Sequence, residues 1–385
     1  MVTTTSRPPA WRDVRVLAWV FQLAVVAVVV AVVAWILDNY RVNADRLNVP
    51  TSFDFLDQPS SFPIPANPEF RQTQPVKDAL VEGLLNTLRL VVFGIIAATV
   101  LGTLLGIARL SKNFLVRNAA RVYVEFVRNV PLFILLLLMY RAIVLQVPPR
   151  RQESWDLGPL AVINVQGTNA LWFEGSNVKF VAVIAVTAIA VGLVVLWRRQ
   201  HAERHGGLAR PALYALPIGA AVLVSAWLLV GLGVTAPTLT DSRASGGIRM
   251  TPEYLGAFLA LVIYTSSHIA EIVRGSIQAV PRGQGEAADS LALSGFQRMW
   301  FVVLPQAMRI AVPPIGNQFL NLSKNSSLAA AISFAELTKI TQLTVANRSP
   351  AVPAFALLLG IYLVISLVLS LFVNLANRRL AIVER

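Results

Sequence analysis

The sequence predicts an all-α, polytopic membrane protein of about eight transmembrane helices, and three observations carry that expectation. Hydrophobic residues make up 56% of the 385 and charged ones only 14%, too few to clothe a soluble surface of this size. The mean hydropathy is +0.63. Apolar runs of about 20 residues, the length a helix needs to cross a bilayer's hydrocarbon, recur along nearly the whole chain.

The formal charge of +13 is spread between apolar runs rather than gathered in a tail. No zinc-finger or RNA-binding signature accompanies it, so the expected partner is the lipid bilayer and not nucleic acid. With no cysteine in the chain, a disulfide framework, a thiolate metal site and a thiol nucleophile are excluded.

The first run, Leu17 to Leu37, follows Arg7, Arg12 and Arg15. A secretory signal shares that basic start, but the run is too long and lacks a small-residue cleavage site, so a retained anchor is expected. Further spans are expected at Leu85–Leu110, Ala120–Val144, Phe180–Trp197, Leu213–Val234, Tyr254–Val273, Pro305–Ile332 and Pro353–Ala376. Basic residues collect on one side, among them Arg109, Lys112, Arg117, Arg121, Arg274, Arg282, Arg298 and Arg385, which places both termini in the cytoplasm. The opposite side holds Asp38 to Glu82, where six prolines forbid a long helix and an irregular, surface-bound chain is expected. It also holds Gln146 to Val178, whose Trp155 and Trp172 suit either an interfacial position or ordinary loop packing.

The chain thus divides into a tail with its anchor (1–37), a proline-rich outside loop (38–82), two core helices (83–145), an outside segment with an inserted helix pair (146–250) and the remaining core helices (251–385). A cytoplasmic connector occupies about 275–305 within the last part. Pro281 and the glycines at 283 and 285 punctuate it, after which Glu286 to Leu293 has helical propensity. Ser294-Gly295 can end that helix and Phe296 can start another. Glu286 would then be exposed, while Ala287, Ala288, Leu291 and Ala292 offer a small-residue surface suited to a groove on a soluble partner. An ordinary amphipathic connector fits the same physics.

Here the chain resembles a known family. Glu286-Ala287-Ala288, with Leu304-Pro305 downstream, is similar to the EAA loop of bacterial ABC importer permeases. The segments from Ala270 to Gly275, from Leu304 to Ala307 and from Pro314 to Leu328 resemble the polar amino acid uptake subfamily, as do Gly83 to Leu88 and Glu125 to Leu132. The added first span and inserted pair resemble the larger permeases of general or glutamate/glutamine/aspartate/asparagine L-amino acid importers. The resemblance implies the type I importer transmembrane fold in a bacterial inner membrane. It also implies a coupling helix, formed by Glu286, Ala287, Ala288, Leu291, Ala292 and Gly295, that docks on a nucleotide-binding ATPase dimer. No cofactor would bind this chain directly, since ATP and Mg would sit on that dimer. A periplasmic substrate-binding protein and a second, non-identical permease complete the implied complex. The family usually has glycine six positions after the motif's glutamate, where this chain has Ala292; with Gly295 close by, the turn is expected to shift by a few residues.

Polar residues at membrane depth are costly, so a cluster of them marks a functional candidate. Asn317, Asn321 and Lys324 fall on one helix face, as do Gln318 and Asn325, with Ser326 and Ser327 following. Such a face can line a hydrated substrate path, with Lys324 meeting a carboxylate, or can make hydrogen bonds between helices. Pro313-Pro314 is expected to loosen the helix ahead of it. Glu125 and Arg128, one turn apart, are expected to pair; Gly102 and Gly106 to allow close helix approach; and His268, without a second histidine nearby, to be packed rather than metal-bound. The chain has no Gly-x-x-x-x-Gly-Lys-Ser/Thr phosphate loop, no zinc-protease pair and no Gly-x-Ser-x-Gly elbow, so no catalytic residue is expected. An ATP-independent transporter or channel, and a permease for another small polar solute, remain as alternatives.

Overall fold

The structure, a computed structural model, describes residues 14–47, 50–65, 67, 69–147, 154–164, 166–174, 177–205, 211–231, 233–240, 243–347 and 349–380. Arg7, Arg12 and Arg385, used above for orientation, lie outside them. In chain order the helices are α1 Val14–Arg46, α2 Val76–Ala108, α3 Phe114–Asn129, α4 Leu132–Leu137, α5 Asn177–His205, α6 Pro211–Val230, α7 Pro252–Gln278, α8 Arg282–Ser290, α9 Gly295–Gln297, α10 Leu304–Asn325, α11 Leu337–Ala346 and α12 Ala351–Leu380. Helix occupies each of the eight expected positions. Among the described residues, four helices are long and apolar enough to cross a membrane: Val16–Arg46, Val76–Ala108, Pro252–Gln278 and Ala351–Arg378.

One further apolar helix pair is bent. The expected span Ala120–Val144 is broken between Phe114–Asn129 and Leu132–Gln146, which meet at 107°. Pro131 explains the break, because its ring pushes Val130 out of the helical region to φ −93, ψ 127. The outside loop is also shorter than expected. α1 runs on to Arg46 and α2 starts at Val76, so 38–46 and 76–82 are helical. The rest is irregular but anchored: Phe55, Phe62, Ile64 and Phe70 are buried in one cluster with Leu80, Leu337, Ile340 and Leu358.

α2 and α7 form the axis of the bundle, sharing a core of Leu90, Val91, Ala98, Ala257, Ala260, Leu261 and Ile269. Gly102 and Gly106 let the backbones touch, as small residues one turn apart do in membranes. A Cβ on Gly102 would lie 2.7 Å from Ile269 and 2.8 Å from the Ser266 carbonyl oxygen; one on Gly106 would lie 2.8 Å from the Ala270 carbonyl oxygen. His268 is packed in the same helix, its ring centroid 4.7 Å from that of Tyr264.

Short strands flank the inserted helices α5 and α6, a feature the hydropathy pattern did not indicate. They are β1 Trp155–Asp156, β2 Ala161–Asn164, β3 Gly167–Ala170, β4 Trp172–Glu174, β5 Gly233–Thr235, β6 Thr238–Thr240, β7 Arg243–Ser245 and β8 Ile248–Met250. β1, β2, β3 and β8 make an antiparallel sheet in that order, with Thr168 opposite Met250, and β4 pairs with β5. Gly247 has φ +62, and a Cβ there would lie 2.0 Å from the Ala170 carbonyl oxygen, so only glycine lets β8 run beside β3. β8 leads into Thr251, which caps α7 by accepting from Tyr254 N ahead of Pro252 at the helix start.

α10 runs unbroken through Pro313 and Pro314, contrary to the loosening expected there. Contact with α7 and α12 holds it, and Gly316 sits so close to Val373 that a Cβ would come within 2.3 Å. The irregularity falls later: Ser326–Ile332 tightens to 3-10 geometry and ends at Ser333 with φ +64. Glu336, fully buried, then caps α11 by accepting from the Thr338 and Lys339 amides at 2.9 and 2.8 Å, and receives the Tyr362 hydroxyl of α12 at 2.9 Å.

The α2–α7 contact has a direct test. Gly102→Val overpacks it at an expected cost of about 1–3 kcal/mol and lowers the melting temperature of the purified complex. Gly360→Val, where a Cβ meets nothing within 4 Å, leaves it unchanged. Equal melting of the two variants would refute the packing argument.

Candidate functional site

The connector between α7 and α10 folds as two short helices around a tight turn. α8 begins at Arg282, earlier than expected, and carries both glycines inside it. It ends in a reciprocal pair of backbone bonds, Leu293 N to Ala288 O at 3.2 Å and Ala292 N to Asp289 O at 2.9 Å, the Schellman closure that places the next residue out in the left-handed region. That residue is Ala292, at φ +52. The turn has therefore not shifted to Gly295. Alanine takes the strained position itself, at a cost of about 1 kcal/mol relative to glycine. Ser294 opens α9 rather than closing α8, exchanging capping-box bonds with Gln297.

Two side-chain contacts clamp the pair. Arg298 donates to both carboxylate oxygens of Asp289 at 3.0 and 2.8 Å, and Gln306 donates to Gln284 Oε1 at 3.1 Å. Glu286, Ala287, Ala292 and Gly295 are exposed, and Leu291 is 75% exposed. Ala288 departs from its expected place on that surface; it is buried. Phe296 continues the exposed side and stacks on Trp300 at 6.1 Å. The result is a rigid knob with a carboxylate and uncovered apolar side chains.

Behind it lies an ionic hub. Glu271 of α7 receives Arg109 from the end of α2 and Arg274 from its own helix, while Arg128 of α3 approaches to 3.8 Å. Glu125 pairs with Arg121 at 2.8 Å instead of the expected Arg128. Three helices are thus tied at one level, about two turns from where α7 gives way to the connector.

At the other end of α2 a cleft of about 310 Å³ opens between Asn86, Arg89, Phe93, Tyr254, Phe334, Trp172 and the stretch 247–251. Asn86 is buried, donates to Ala335 O at 2.9 Å and accepts from Arg89 at 3.4 Å. Phe93 meets Trp172 edge-on at 6.2 Å, and Tyr254 meets Phe334 at 5.7 Å. Among the described residues no carboxylate pairs with Arg89. A guanidinium inside an apolar span, with free donors and aromatic walls, is a site for a carboxylate. Sequence reading passed over Arg89, although a lone arginine four residues into the run from Leu85 is itself the signal.

The polar α10 residues lie elsewhere, and none lines this cleft. Asn317, Asn321 and Lys324 do share an exposed face, with Gln318 and Asn325 half-buried beside it. Ser326 and Ser327 bond their own backbone, to Ser323 O at 2.7 Å and Lys324 O at 2.8 Å, and so shape the end of the helix.

Comparison with known proteins agrees with this architecture. Residues 208–382 match the family model described as "Binding-protein-dependent transport system inner membrane component". The chain is 37% identical to the putative amino-acid ABC transporter permease protein YhdX of Escherichia coli, over 100% of this chain and 99% of that one. It is 37% identical to the general L-amino acid transport system permease protein AapQ of Rhizobium johnstonii, over 95% and 92%. It is 34% identical to the glutamate/glutamine/aspartate/asparagine transport system permease protein BztB of Rhodobacter capsulatus, over 97% and 96%. With full-length identity at this level, joined to the family match over the connector and the helices around it, the chain belongs to the inner-membrane permease components of binding-protein-dependent ABC transport systems.

Proposed function

We propose that this permease carries L-amino acids from periplasm to cytoplasm across a bacterial inner membrane, with both termini cytoplasmic. The observation that carries the reading is Arg89 in its aromatic-walled cleft, whose guanidinium donates to Asn86 and, among the described residues, has no carboxylate partner, leaving donors for an α-carboxylate. The names of the full-length relatives point the same way. A periplasmic binding protein would deliver the amino acid to this cleft, and the exposed face of Asn317, Asn321 and Lys324, flanked by Gln318 and Asn325, would line the onward path against a second, non-identical permease.

A permease subunit is not itself catalytic. ATP and Mg would be held by a separate nucleotide-binding dimer, and the knob of Glu286, Ala287, Leu291, Ala292 and Gly295 would sit in its groove, with Ala288 fixing α8 from beneath. The clamp between Asp289 and Arg298 makes the knob stiff enough to pass a displacement to α7 and α10. The Glu271 hub would spread it to α2 and α3.

Three experiments on the reconstituted complex test this reading. Glu286→Lys abolishes substrate-stimulated ATP hydrolysis while the subunits still co-purify; unchanged stimulation would sink the coupling assignment. Arg89→Gln lowers amino acid uptake about tenfold or more, the scale of one lost charge-assisted hydrogen bond at about 1.5–3 kcal/mol, with Arg89→Lys intermediate. Wild-type uptake by Arg89→Gln would remove the cleft from the pathway. Ala292→Gly relieves the left-handed turn by about 1 kcal/mol, raising thermal stability with coupling preserved, and a lower melting temperature would contradict the strain described.

A further inference from the structure

A second cleft, of about 330 Å³, opens between the ends of α2 and α7 and the polar face of α3. Arg109, Arg117, Arg121 and Arg274 line it, with Asn118, Gln278 and the carboxylate of Glu125. Arg109 and Arg274 share Glu271, and Arg121 holds Glu125. Arg117 donates only to the Ser111 carbonyl oxygen, at 3.1 Å, and has no carboxylate partner among the described residues. Four guanidiniums therefore face two carboxylates, and Arg117 keeps donors free.

The same helix supplies an apolar flank. Phe114, Leu115, Val122 and Phe126 are each more than 60% exposed, so α3 sets a basic face beside an uncovered hydrophobic one, the pattern of a helix lying at a membrane interface. A small soluble anion would need only the arginines. A ligand with an anionic head and hydrocarbon tails uses both halves.

We propose that this cleft holds the phosphate headgroup of an anionic phospholipid from the cytoplasmic leaflet, its acyl chains lying along the exposed apolar residues of α3. The leaflet rests on the orientation proposed above; the headgroup chemistry does not. Basic pockets between membrane helices at the cytoplasmic side are suited to such heads. Because Arg109 and Arg274 also grip Glu271, a bound lipid would sit against the ionic hub that joins α2, α3 and α7.

The test is native mass spectrometry of the purified importer complex after exposure to vesicles of phosphatidylethanolamine with or without phosphatidylglycerol. The wild type is expected to retain phosphatidylglycerol. The Arg117→Gln/Arg121→Gln variant loses retention by about tenfold or more, and Arg117→Lys/Arg121→Lys keeps most of it, which separates lost charge from misfolding. Equal retention by wild type and the glutamine variant overturns the proposal. So does displacement of the lipid by inorganic phosphate, which would mark a free-anion site, or loss of the ATPase subunit with lipid retention unchanged, which would mark a protein-docking surface. Orientation is read separately: in this chain without cysteine, Lys112→Cys should react with an impermeant maleimide only in inverted vesicles.

Discussion

The backbones of α2 and α7 meet where Gly102 and Gly106 have no side chains to hold them apart, and Glu271 closes one end of that contact with Arg109, just past α2, and Arg274 of α7. Without water to drive apolar helices together, such close approach and its polar seal set the geometry of the bundle. α7 carries Tyr254 at the Arg89 cleft near its start and the hub toward its end, so one helix spans both. α10 packs on α7 and is joined to α12 at Gly316, and the proline-rich loop is stitched to the start of α2, to α11 and to α12 by four buried apolar side chains.

Long apolar runs were legible because a helix through hydrocarbon needs little beyond length and hydropathy, and helices stand at every expected place. Their interruptions were less so. Pro131 was present in the run from Ala120, yet the run was read as continuous because composition outweighed the one residue that forbids a straight helix. Conversely, Pro313-Pro314 was expected to disturb a helix that packing holds intact. The strands between 155 and 250 are two to four residues long and separated by turns, too short for alternation to show.

At the candidate sites the connector was the more readable, since its residue types and spacing carry a resemblance that hydropathy lacks. What geometry added is the sense of each residue. Ala288 faces inward, Ala292 rather than Gly295 bears the left-handed turn, and Phe296 extends the exposed side. Arg89 was hidden because a single charge barely lowers the average of a long apolar window, and Asn86 stood in the Gly83 to Leu88 resemblance without a role of its own. Trp172 was readable only as a loop or interfacial residue, since its partner Phe93 lies nearly eighty positions away.

Part of the wall of the Arg89 cleft comes from two stretches of chain that flank the inserted helices α5 and α6, Trp172 before them and residues 247–251 after, while Asn86, Arg89 and Phe93 come from α2. The connector knob lies in a different segment, beyond α7. On the proposed reading, the core supplies Arg89 for the carboxylate every amino acid shares, and the flanks of the insertion shape the rest of the cleft, apart from the grip on the motor. Exchange of the inserted block between related permeases would reshape the cleft while leaving the motor's docking knob as it was. A lineage of such transporters can thus change what it carries without renegotiating how it is powered.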